Sequence, residues 1–307
     1  MKVLIAVDGS KYSDLAVKHC VDCQWGKGTE FKVISVADLN ALFLSESDTE
    51  ELKKQVQKTV DNHVKELKDK WKNAKVEGQV LTGLAKQQIL NECNKWKPDL
   101  IVMGTHGRTA IGRLLLGSVS QTVLNHCPCS IRIVREETDN SKVLIAVDSS
   151  ECSQIAVNRV LSYKWLANTK FLVCSVIPDY AGQLAVDPYG GFGTYLPELN
   201  TQAQKNAEEL TAKIEEQLKE KLDNPVIEKC MPMGDAREEI IKTAEEKNCS
   251  MIFLGSHNLG LLDRVIIGSV SEAVAVHAPC TIEIVRSARN ASGSSQEAVP
   301  AASSKNS

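Results

Sequence analysis

The sequence predicts two tandem doubly wound α/β domains, each built on a five-stranded parallel sheet. Three observations support this fold class. The chain repeats itself, since residues 2–8 recur letter for letter as residues 142–148. Within each copy, short apolar and β-branched runs alternate with segments of helical spacing, which indicates parallel strands joined by right-handed crossover helices. A length of 307 residues, with 43% hydrophobic and 24% charged residues, suits two globular domains.

The repeat indicates where each domain begins and ends. Equivalent positions differ by 140 residues up to Val176 and by 151 residues from Gly234 onward, so the second copy carries 151 − 140 = 11 extra residues between them. The Gly-, Tyr- and Pro-rich stretch 179–197 is the predicted place of this insertion. The polar segment 136–141 separates the copies. The predicted domains are therefore 1–137 and 141–287, followed by a tail of disordered composition over 288–307.

The elements of the first copy follow from its apolar pattern. Continuous apolar runs predict strands buried on both faces, and charged segments with periodic apolar residues predict helices. The second copy has the same order, with a long helix over 201–222 in place of the one over 50–71. The predicted strands are 3–7, 31–36, 78–81, 100–103 and 129–134, and the predicted helices are 13–23, 50–71, 86–96 and 119–126.

Charge and hydropathy narrow the class of partner. The net charge of −3 and the sequence pI of about 6.1 lack the basic excess that nucleic-acid binders show. No apolar run approaches the roughly 20 residues that cross a bilayer. The apolar stretch at residues 3–7 is too short for a secretory signal and fits a buried first strand. We therefore expect a cytoplasmic protein with neither a nucleic-acid nor a membrane partner.

The ten cysteines raise the question of a metal site or a disulfide framework. The close pairs are Cys20 with Cys23, which share a helical face, and Cys127 with Cys129. No second CxxC or HxxxH pair completes a zinc set. Free cysteines in apolar segments behave as small hydrophobic residues, so we expect reduced thiols with structural roles. Structural or solvent-facing roles are also expected for the equivalent histidine pairs His106 with His257 and His126 with His277.

Two strand ends carry residues that a buried sheet does not need. In an open parallel sheet, ligands bind beyond the carboxyl ends of the strands, at the point where the strand order reverses. The first strand ends at Asp8, Gly9 and Ser10. The fourth strand ends at Gly104, and a glycine-rich loop then leads into the next helix. That loop and helix start hold Gly107, Arg108, Gly112, Arg113, Gly117, Ser118, Val119 and Ser120.

The end of the fourth strand has the chemistry of an anion site. Glycines let backbone amides approach phosphate oxygens and adopt positive φ, and the dipole of the following helix favours negative charge. Ser118 and Ser120 add hydroxyl donors, and Arg108 and Arg113 supply positive charge. Ordinary turn glycines, and Asp8 as a helix N-cap, are the structural alternatives.

The spacing of this loop matches neither a Walker A loop nor a Gly-x-Gly-x-x-Gly fingerprint. It is Gly104-x2-Gly107-x9-Gly117-Ser118, in a domain whose first strand ends in Asp8. In this combination the chain closely resembles the nucleotide-binding branch of the universal stress protein family. The resemblance covers nearly all of residues 1–135 and 142–286, including the Gly-x-Ala sequences at 83–85 and 234–236.

The resemblance implies an adenine-nucleotide α-hydrolase-like fold with flavodoxin-like layering. It also implies a regulatory protein of the stress response that binds ATP, or AMP or another adenine nucleotide, with slow hydrolysis at most. Mg²⁺ would accompany the phosphates, with Asp8 helping to hold it. Residue by residue, the implied nucleotide contacts are Ala6, Val7, Asp8, Val36, Gly104, Gly107, Arg108, Gly117, Ser118, Val119 and Ser120 in the first copy, and Ala146, Val147, Asp148, Val176, Gly255, Asn258, Gly268, Ser269, Val270 and Ser271 in the second.

The second copy departs from this pattern in its loop. Asn258 replaces the second glycine, and asparagine is a non-glycine residue that tolerates left-handed backbone. Leu259 replaces the cation Arg108, and Asp263 stands where the first copy has Gly112. One positive charge is lost and one negative charge is added, so the second site is predicted to bind a triphosphate more weakly.

Two other functions remain open on the sequence. An enzyme, such as a weak ATPase, would need a positioned base and nucleophile, and no such pair is readable from the residues. A scaffold or interaction protein with one or both sites degenerate fits the second copy better than the first.

The last strand of each copy predicts how the copies meet. Family members that resemble each half often dimerise by pairing their last strands antiparallel, and a tandem chain can satisfy this pairing internally. An unpaired last strand would be an apolar edge. Arg132 and Glu283 hold equivalent central positions of these strands, at the offset of 151. We expect an internal pseudo-dimer in which Arg132 faces Glu283, with two solvent-facing charges as the alternative, and a homodimer of whole chains remains open.

Overall fold

The protein is described from a computed structural model, which covers residues 1–38, 45–106, 116–136, 141–180, 196–256 and 267–287. Strands and helices alternate through the first repeat, as its apolar pattern predicts. Its elements are β1 (Lys2–Val7), α1 (Lys11–Asp22), β2 (Glu30–Ala37), α2 (Glu46–Lys70), β3 (Lys75–Thr82), α3 (Ala85–Trp96), β4 (Leu100–Gly104), α4 (Ser118–His126) and β5 (Ser130–Val134).

The second repeat has the same order of elements. The segments that lie outside the described residues include three from the predicted domain organisation. These three are residues 181–195, which form most of the insertion predicted over 179–197, the predicted tail over 288–307, and residues 137–140 between the predicted domains. The elements of the second repeat are β6 (Lys142–Ala146), α5 (Glu151–Ser162), β7 (Lys170–Cys174), α6 (Leu196–Lys221), β8 (Val226–Cys230), α7 (Ala236–Glu246), β9 (Met251–Gly255), α8 (Ser269–His277) and β10 (Thr281–Val285).

The strands form one ten-stranded sheet in the order β3-β2-β1-β4-β5-β10-β9-β6-β7-β8. Within each repeat every named pair of neighbouring strands is parallel, and the repeats join through the antiparallel pair β5 and β10. Each repeat therefore has the doubly wound order 3-2-1-4-5, which confirms the predicted fold class. The order reverses between β1 and β4, and between β6 and β9.

The structure moves several predicted boundaries. α2 begins at Glu46 rather than at residue 50, because the Ser45 hydroxyl caps the helix by accepting a hydrogen bond from the Asp48 amide at 3.2 Å. α6 begins at Leu196, so the end of the insertion predicted over 179–197 is helical. β3 starts three residues earlier than predicted because its whole length, from Lys75 to Thr82, pairs with β2.

Both faces of the sheet are buried, and alternate residues of each strand serve the two faces. In β1, Val3 and Ile5 belong to a core with α1 and α2, whereas Leu4 and Ala6 belong to a core with α3 and α4. The α3 and α4 core is continuous with the equivalent core of α7 and α8 in the second repeat. One hydrophobic layer therefore runs through both repeats.

A buried ion pair lies at the junction of the repeats. Arg132 is the register partner of Glu283 in the β5–β10 pair, and both side chains are almost fully buried. Arg132 Nε donates to Glu283 Oε2 at 2.9 Å and its Nη2 donates to the same oxygen at 2.5 Å. The Tyr163 hydroxyl donates to the same carboxylate at 2.9 Å. The predicted facing of Arg132 and Glu283 is confirmed, and the solvent-facing alternative is wrong.

Two further arginines exchange contacts across the junction. Arg286, just after β10, donates to the carbonyl oxygens of Leu124 and Cys127 at the end of α4. Its counterpart Arg135, just after β5, donates to the Ala275 carbonyl oxygen at 2.5 Å in α8. Each repeat thus satisfies carbonyl groups that the other repeat's last helix leaves without intrahelical partners. Sequence analysis did not predict these contacts.

Within the described ranges, no helix combines the length and the apolar character that crossing a membrane requires.

Candidate functional site

Each repeat has a cavity at the carboxyl ends of its first and fourth strands, where its strand order reverses. The first cavity, at the ends of β1 and β4, encloses about 330 Å³. The second, at the ends of β6 and β9, encloses about 270 Å³. These are the positions at which open α/β sheets bind ligands, and the larger volume lies within the roughly 300–1,000 Å³ of typical small-molecule pockets.

The cavities bring together all the predicted site residues that the structure describes. Gly107, Arg108 and Asn258 lie outside the described residues, as do His257 and both arginines of the loops, Arg113 and Arg264. The first cavity is lined by the predicted residues Ala6, Val7, Asp8, Val36, Gly104, Gly117, Ser118, Val119 and Ser120. The second is lined by Ala146, Val147, Asp148, Val176, Gly255, Gly268, Ser269, Val270 and Ser271.

Sequence analysis missed most of the apolar wall of the first cavity. Ile34 lies two residues before Val36 and so shares its face of β2, which strand periodicity would have indicated. Ala85 and Ile89 are one turn apart on α3. The fold also adds residues that no local pattern indicates. The lining residues missed in the first cavity are Ser13, Ile34, Ala85, Ile89, Met103 and His106.

The helix that closes each cavity begins without a side-chain cap. α4 has Gly117 at its N-cap and α8 has Gly268. By contrast, α1 and α5 begin at Ser10 and Ser150, whose hydroxyls accept hydrogen bonds from amides of the first turn. A glycine N-cap offers no such acceptor, so the first-turn amides of α4 and α8 are open to an acceptor in the cavity.

The site glycines do not have the backbone conformation that sequence analysis expects. Gly117 and Gly268 have φ of −62° and −68°, in the ordinary extended region, so positive φ is not their reason. A Cβ at Gly268 would lie 3.9 Å from the Ser271 hydroxyl, which is an ordinary van der Waals distance. What glycine provides at these positions is the absence of a side chain at the start of the helix.

Gly104 serves packing. A Cβ at Gly104 would lie 2.6 Å from the carbonyl oxygen of Tyr12, so only glycine lets α1 approach the end of β4 this closely. The same holds at Gly255, where a Cβ would overlap the carbonyl group of Cys152 in α5. These two glycines place the first helix of each repeat beside the cavity.

The serine hydroxyls at the helix starts have different roles. The Ser120 hydroxyl is buried and donates to the Gly104 carbonyl oxygen at 3.0 Å, and Ser271 makes the same contact with Gly255 at 3.0 Å. The Ser120 proton is thereby engaged within the protein in this structure, and donation from this hydroxyl to a phosphate stays a prediction. Ser118 is exposed at the cavity, and its hydroxyl keeps the predicted position.

The carboxylate at the end of each first strand lies at the cavity. Asp8 accepts a hydrogen bond from the Ser10 amide at 3.0 Å. Because Ser10 is the N-cap of α1, the alternative of Asp8 as that N-cap is wrong. The equivalent Asp148 accepts from the Ser150 amide at 3.0 Å and also from the Ser150 hydroxyl at 2.5 Å. The turn at Ser150 therefore holds the Asp148 carboxylate by two hydrogen bonds.

His106 lies between β4 and the loop, and it lines the first cavity. Its side chain is buried, its ring centroid is 5.3 Å from that of Tyr12, and its Nδ1 has no partner in the described protein. Burial, and next the charge of Arg135, lower the pKa of His106 below its ordinary value. A neutral imidazole at this position adds no charge to the cavity.

Fold and site together define a tandem α/β protein with two equivalent cavities at the switch points of one continuous sheet. The model of the universal stress protein family matches residues 1–135 and 140–286. The chain belongs to this family, which places it among stress-response proteins.

Individual relatives agree with this assignment. A universal stress protein of Methanocaldococcus jannaschii is 31% identical over 141 residues, covering 44% of this chain and 82% of the relative. The crystal structure of a universal stress protein from Archaeoglobus fulgidus has a TM-score of 0.62 at 19% identity, covering 93% of this chain and 98% of the other. A protein of unknown function from Pseudomonas aeruginosa has a TM-score of 0.58 at 13% identity, covering 94% and 92%. At these identities the two solved structures show the fold alone.

Proposed function

We propose that the first repeat binds an adenine nucleotide, with ATP and Mg²⁺ as the preferred pair, and that the protein acts as a nucleotide-dependent regulator. The observation on which this rests is the cavity at the β1–β4 switch point, closed by an uncapped helix start. One end of that cavity is apolar and the other presents backbone amides. An adenine nucleotide has the same division, with a flat apolar base and a polyanionic tail.

The phosphate end of the proposed site is the first turn of α4. The amides of Ser118, Val119 and Ser120 are the orphan donors of this helix, and its dipole favours an anion at the same point. The Ser118 hydroxyl is available as a further donor. When bound, Mg²⁺ would neutralise part of the phosphate charge, and Asp8 is the carboxylate that the site offers for it.

The base end of the proposed site is formed by β2 and α3. Ile34 and Val36 line it from the sheet, and Ala85 and Ile89 line it from the helix. Burial of apolar base surface against these side chains contributes about 25 cal/mol per Å². The apolar walls provide affinity, whereas the amides of α4 orient the phosphates.

The described residues support a stronger first site. Val36 lies within β2, which extends to Ala37, whereas its equivalent Val176 follows the end of β7 at Cys174. In the second repeat the Ser150 hydroxyl donates to Asp148 at 2.5 Å, whereas the Ser10 hydroxyl of the first repeat donates to the His106 carbonyl oxygen at 3.4 Å. Binding of a metal–phosphate group at Asp148 would have to displace the Ser150 bond. These features agree in direction with the loop charges in the sequence.

The first experiment identifies the ligand. The full chain is purified without added nucleotide and denatured, and the released small molecules are identified by mass spectrometry. We expect an adenine nucleotide at no more than about one equivalent per chain. A protein that releases none, and whose thermal unfolding does not respond to ATP with Mg²⁺, would support the scaffold alternative instead. Steady release of ADP from ATP would support the weak ATPase.

The second experiment tests the place of binding with Gly117→Asp. An aspartate at the N-cap accepts hydrogen bonds from first-turn amides and stabilises the helix, so it supplies an anion of its own where we place the phosphates. We expect the variant to remain folded and to lose most of the thermal stabilisation by ATP, which for the unmodified protein is about 2.7 kcal/mol at 100 times the dissociation constant. Gly268→Asp is the matched control, since it makes the same change at the weaker site. Equal effects of the two variants would contradict the proposed asymmetry, and unchanged binding by Gly117→Asp would contradict the site.

A further inference from the structure

Three thiols lie together at the turn between α4 and β5. Cys127 follows the last residue of α4, and Cys129 precedes the first residue of β5. Their sulfur atoms are 3.4 Å apart, which is van der Waals contact between unbonded sulfurs. Cys93 of α3 belongs to the same core cluster as Cys127 and Cys129, and it affects the pKa of both. All ten cysteines of the chain are free thiols in this structure.

One thiol of the cluster is more acidic than its neighbours. Burial opposes ionisation of Cys127, but its interactions with the Cys129 and Cys93 thiols and the charge of Arg286 outweigh it, so its pKa is well below the ordinary value of a thiol. The pKa of Cys129 is raised, first by its interaction with Cys127. The Cys127 thiol, which donates to the Cys129 carbonyl oxygen at 3.0 Å, is therefore the more acidic of the pair.

Exposure assigns the two sulfurs different roles. Cys127 is fully buried, whereas Cys129 is half-buried and is the member of the pair that solvent can reach. A small oxidant would meet Cys129 first. The Cys127 sulfur, already in contact with that sulfur, is placed to attack it.

We propose that Cys127 and Cys129 are a redox-active dithiol, which a small hydroperoxide oxidises reversibly to an internal disulfide. The Cys129 sulfur attacks one peroxide oxygen and the O–O bond breaks. The leaving hydroxide takes the Cys129 proton and departs as water, which leaves a sulfenic acid. The Cys127 sulfur then attacks the Cys129 sulfur, the S–O bond breaks, and a second water forms with the Cys127 proton. Two thiols and one hydrogen peroxide thus give one disulfide and two waters, and a thiol reductant reverses the change.

The second repeat provides an internal control. At the offset of 151 the three positions are Ala244, Ala278 and Cys280, so a single thiol remains there. Cys280 is buried, and burial is the main cause that raises its pKa to about 12. The same turn of the second repeat therefore has a single thiol and cannot form a disulfide within itself. The proposed disulfide between two cysteines of this turn is specific to the first repeat.

Mass spectrometry of the full-length protein tests the proposal directly. The reduced chain is treated with increasing hydrogen peroxide, alkylated with iodoacetamide and digested with trypsin. Cleavage after Arg113 and Arg132 places Cys127 and Cys129 in one peptide, and cleavage after Arg264 and Arg286 places Cys280 alone in another. We expect the first peptide to lose two hydrogens and both alkylation sites about tenfold faster than the second peptide loses its single site. Treatment with dithiothreitol should restore both alkylation sites of the first peptide.

Other products of the same digest would overturn the assignment. A cross-link between this peptide and the one spanning residues 87–95 would mean that Cys93 is the partner. Equal protection of the Cys280 peptide, or a first peptide that stays doubly alkylated while other cysteines oxidise, would mean that the contact has no redox function. Cys129→Ser should abolish the internal disulfide, and Cys280→Ser should leave it unchanged. The readout is independent of nucleotide binding, so it stands or falls separately from the proposed function.

Discussion

At the junction of the repeats, two equivalent positions hold opposite charges, Arg132 in the first repeat and Glu283 in the second. Arg132 contacts His19 Nε2 at 3.0 Å through Nη1, while Glu283 accepts from Tyr163. Burial opposes the charge of Arg132, but the carboxylate of Glu283 raises its pKa above the ordinary value, so the pair stays ionised. A buried pair of this kind contributes little compared with a hydrophobic pair, yet it is costly to break. We expect its role to be to specify which strand pairs with which.

Removing one charge of this pair should therefore cost far more than removing both. We expect Glu283→Gln to lower the free energy of unfolding by about 3–5 kcal/mol, because it leaves Arg132 buried without a counter-ion. The double variant Arg132→Met with Glu283→Leu should recover most of that loss. Urea unfolding of the unmodified protein, Arg132→Met, Glu283→Leu and the double variant completes a double-mutant cycle that measures the coupling. Strictly additive losses would show that the ion pair does not couple the repeats.

Substitution of the two serines at the start of α4 should separate the effect on folding stability from the effect on ATP binding. Ser120→Ala removes the donor to the Gly104 carbonyl oxygen and should cost about 1–3 kcal/mol of stability, with little change in ATP affinity. Ser118→Ala removes an exposed hydroxyl and should leave stability unchanged while weakening ATP binding. Thermal unfolding and calorimetric titration of both variants measure the two effects. The reverse pattern would place the phosphate on Ser120.

At the scale of elements, each cavity depends on where helices begin and how closely they approach strand ends. α1 lies against the end of β4 because Gly104 has no side chain, and α4 begins with bare amides because Gly117 has none. Two glycines of one sequence motif are thus needed for different physical reasons. The first is a packing requirement, and the second keeps the start of a helix open.

Alanine substitution should distinguish these two reasons. Gly104→Ala would place its Cβ 2.6 Å from the Tyr12 carbonyl oxygen, and we expect a loss of about 1–3 kcal/mol as α1 is pushed from the sheet. Gly117 has an ordinary backbone φ of −62°, so Gly117→Ala should lower the free energy of unfolding much less. Chemical unfolding of both variants makes the comparison. Equal losses would mean that crowding by α1 does not explain Gly104.

At the scale of the whole molecule, the two repeats form one sheet and share one of their cores. Separated repeats would expose β5 and β10 as apolar edges. A homodimer of the first repeat would bury two Arg132 side chains against each other. A homodimer of the second would bury two Glu283 side chains, and it would also bring together two copies of Glu272, which in the whole chain accepts a hydrogen bond from Gln121 at 2.9 Å.

The separated repeats should therefore prefer each other to themselves. Like charges placed together at an interface cost several kcal/mol, so residues 1–136 and 141–287 made as two chains should form a 1:1 complex when mixed. Native mass spectrometry of each chain alone and of the mixture measures this preference. Arg132→Leu in the first chain should allow it to form a homodimer. Two stable homodimers that do not exchange would contradict the role of the charge pair.

The sequence by itself determined the features that depend on local order and on duplication. The apolar runs specified the strands, the repeat specified two domains, and the offset of 151 made Arg132 and Glu283 equivalent, while the resemblance to the family implied that their strands pair. The turn residues after the first and fourth strands indicated the site, because parallel strands bring their carboxyl ends to one edge of the sheet. Periodicity and repetition are properties of the chain, so they are readable before it folds.

The tertiary structure alone decided the features that depend on which distant residues meet. The crowding of Gly104 by Tyr12 and the donation from Ser120 to Gly104 both join separate elements. The arginine contacts between repeats are of the same kind, since Arg286 reaches carbonyl groups more than 150 positions away in the chain. Such roles depend on how distant parts of the chain pack together in atomic detail. The type of a residue and its neighbours in sequence do not reveal which atoms will lie within hydrogen-bonding or contact distance.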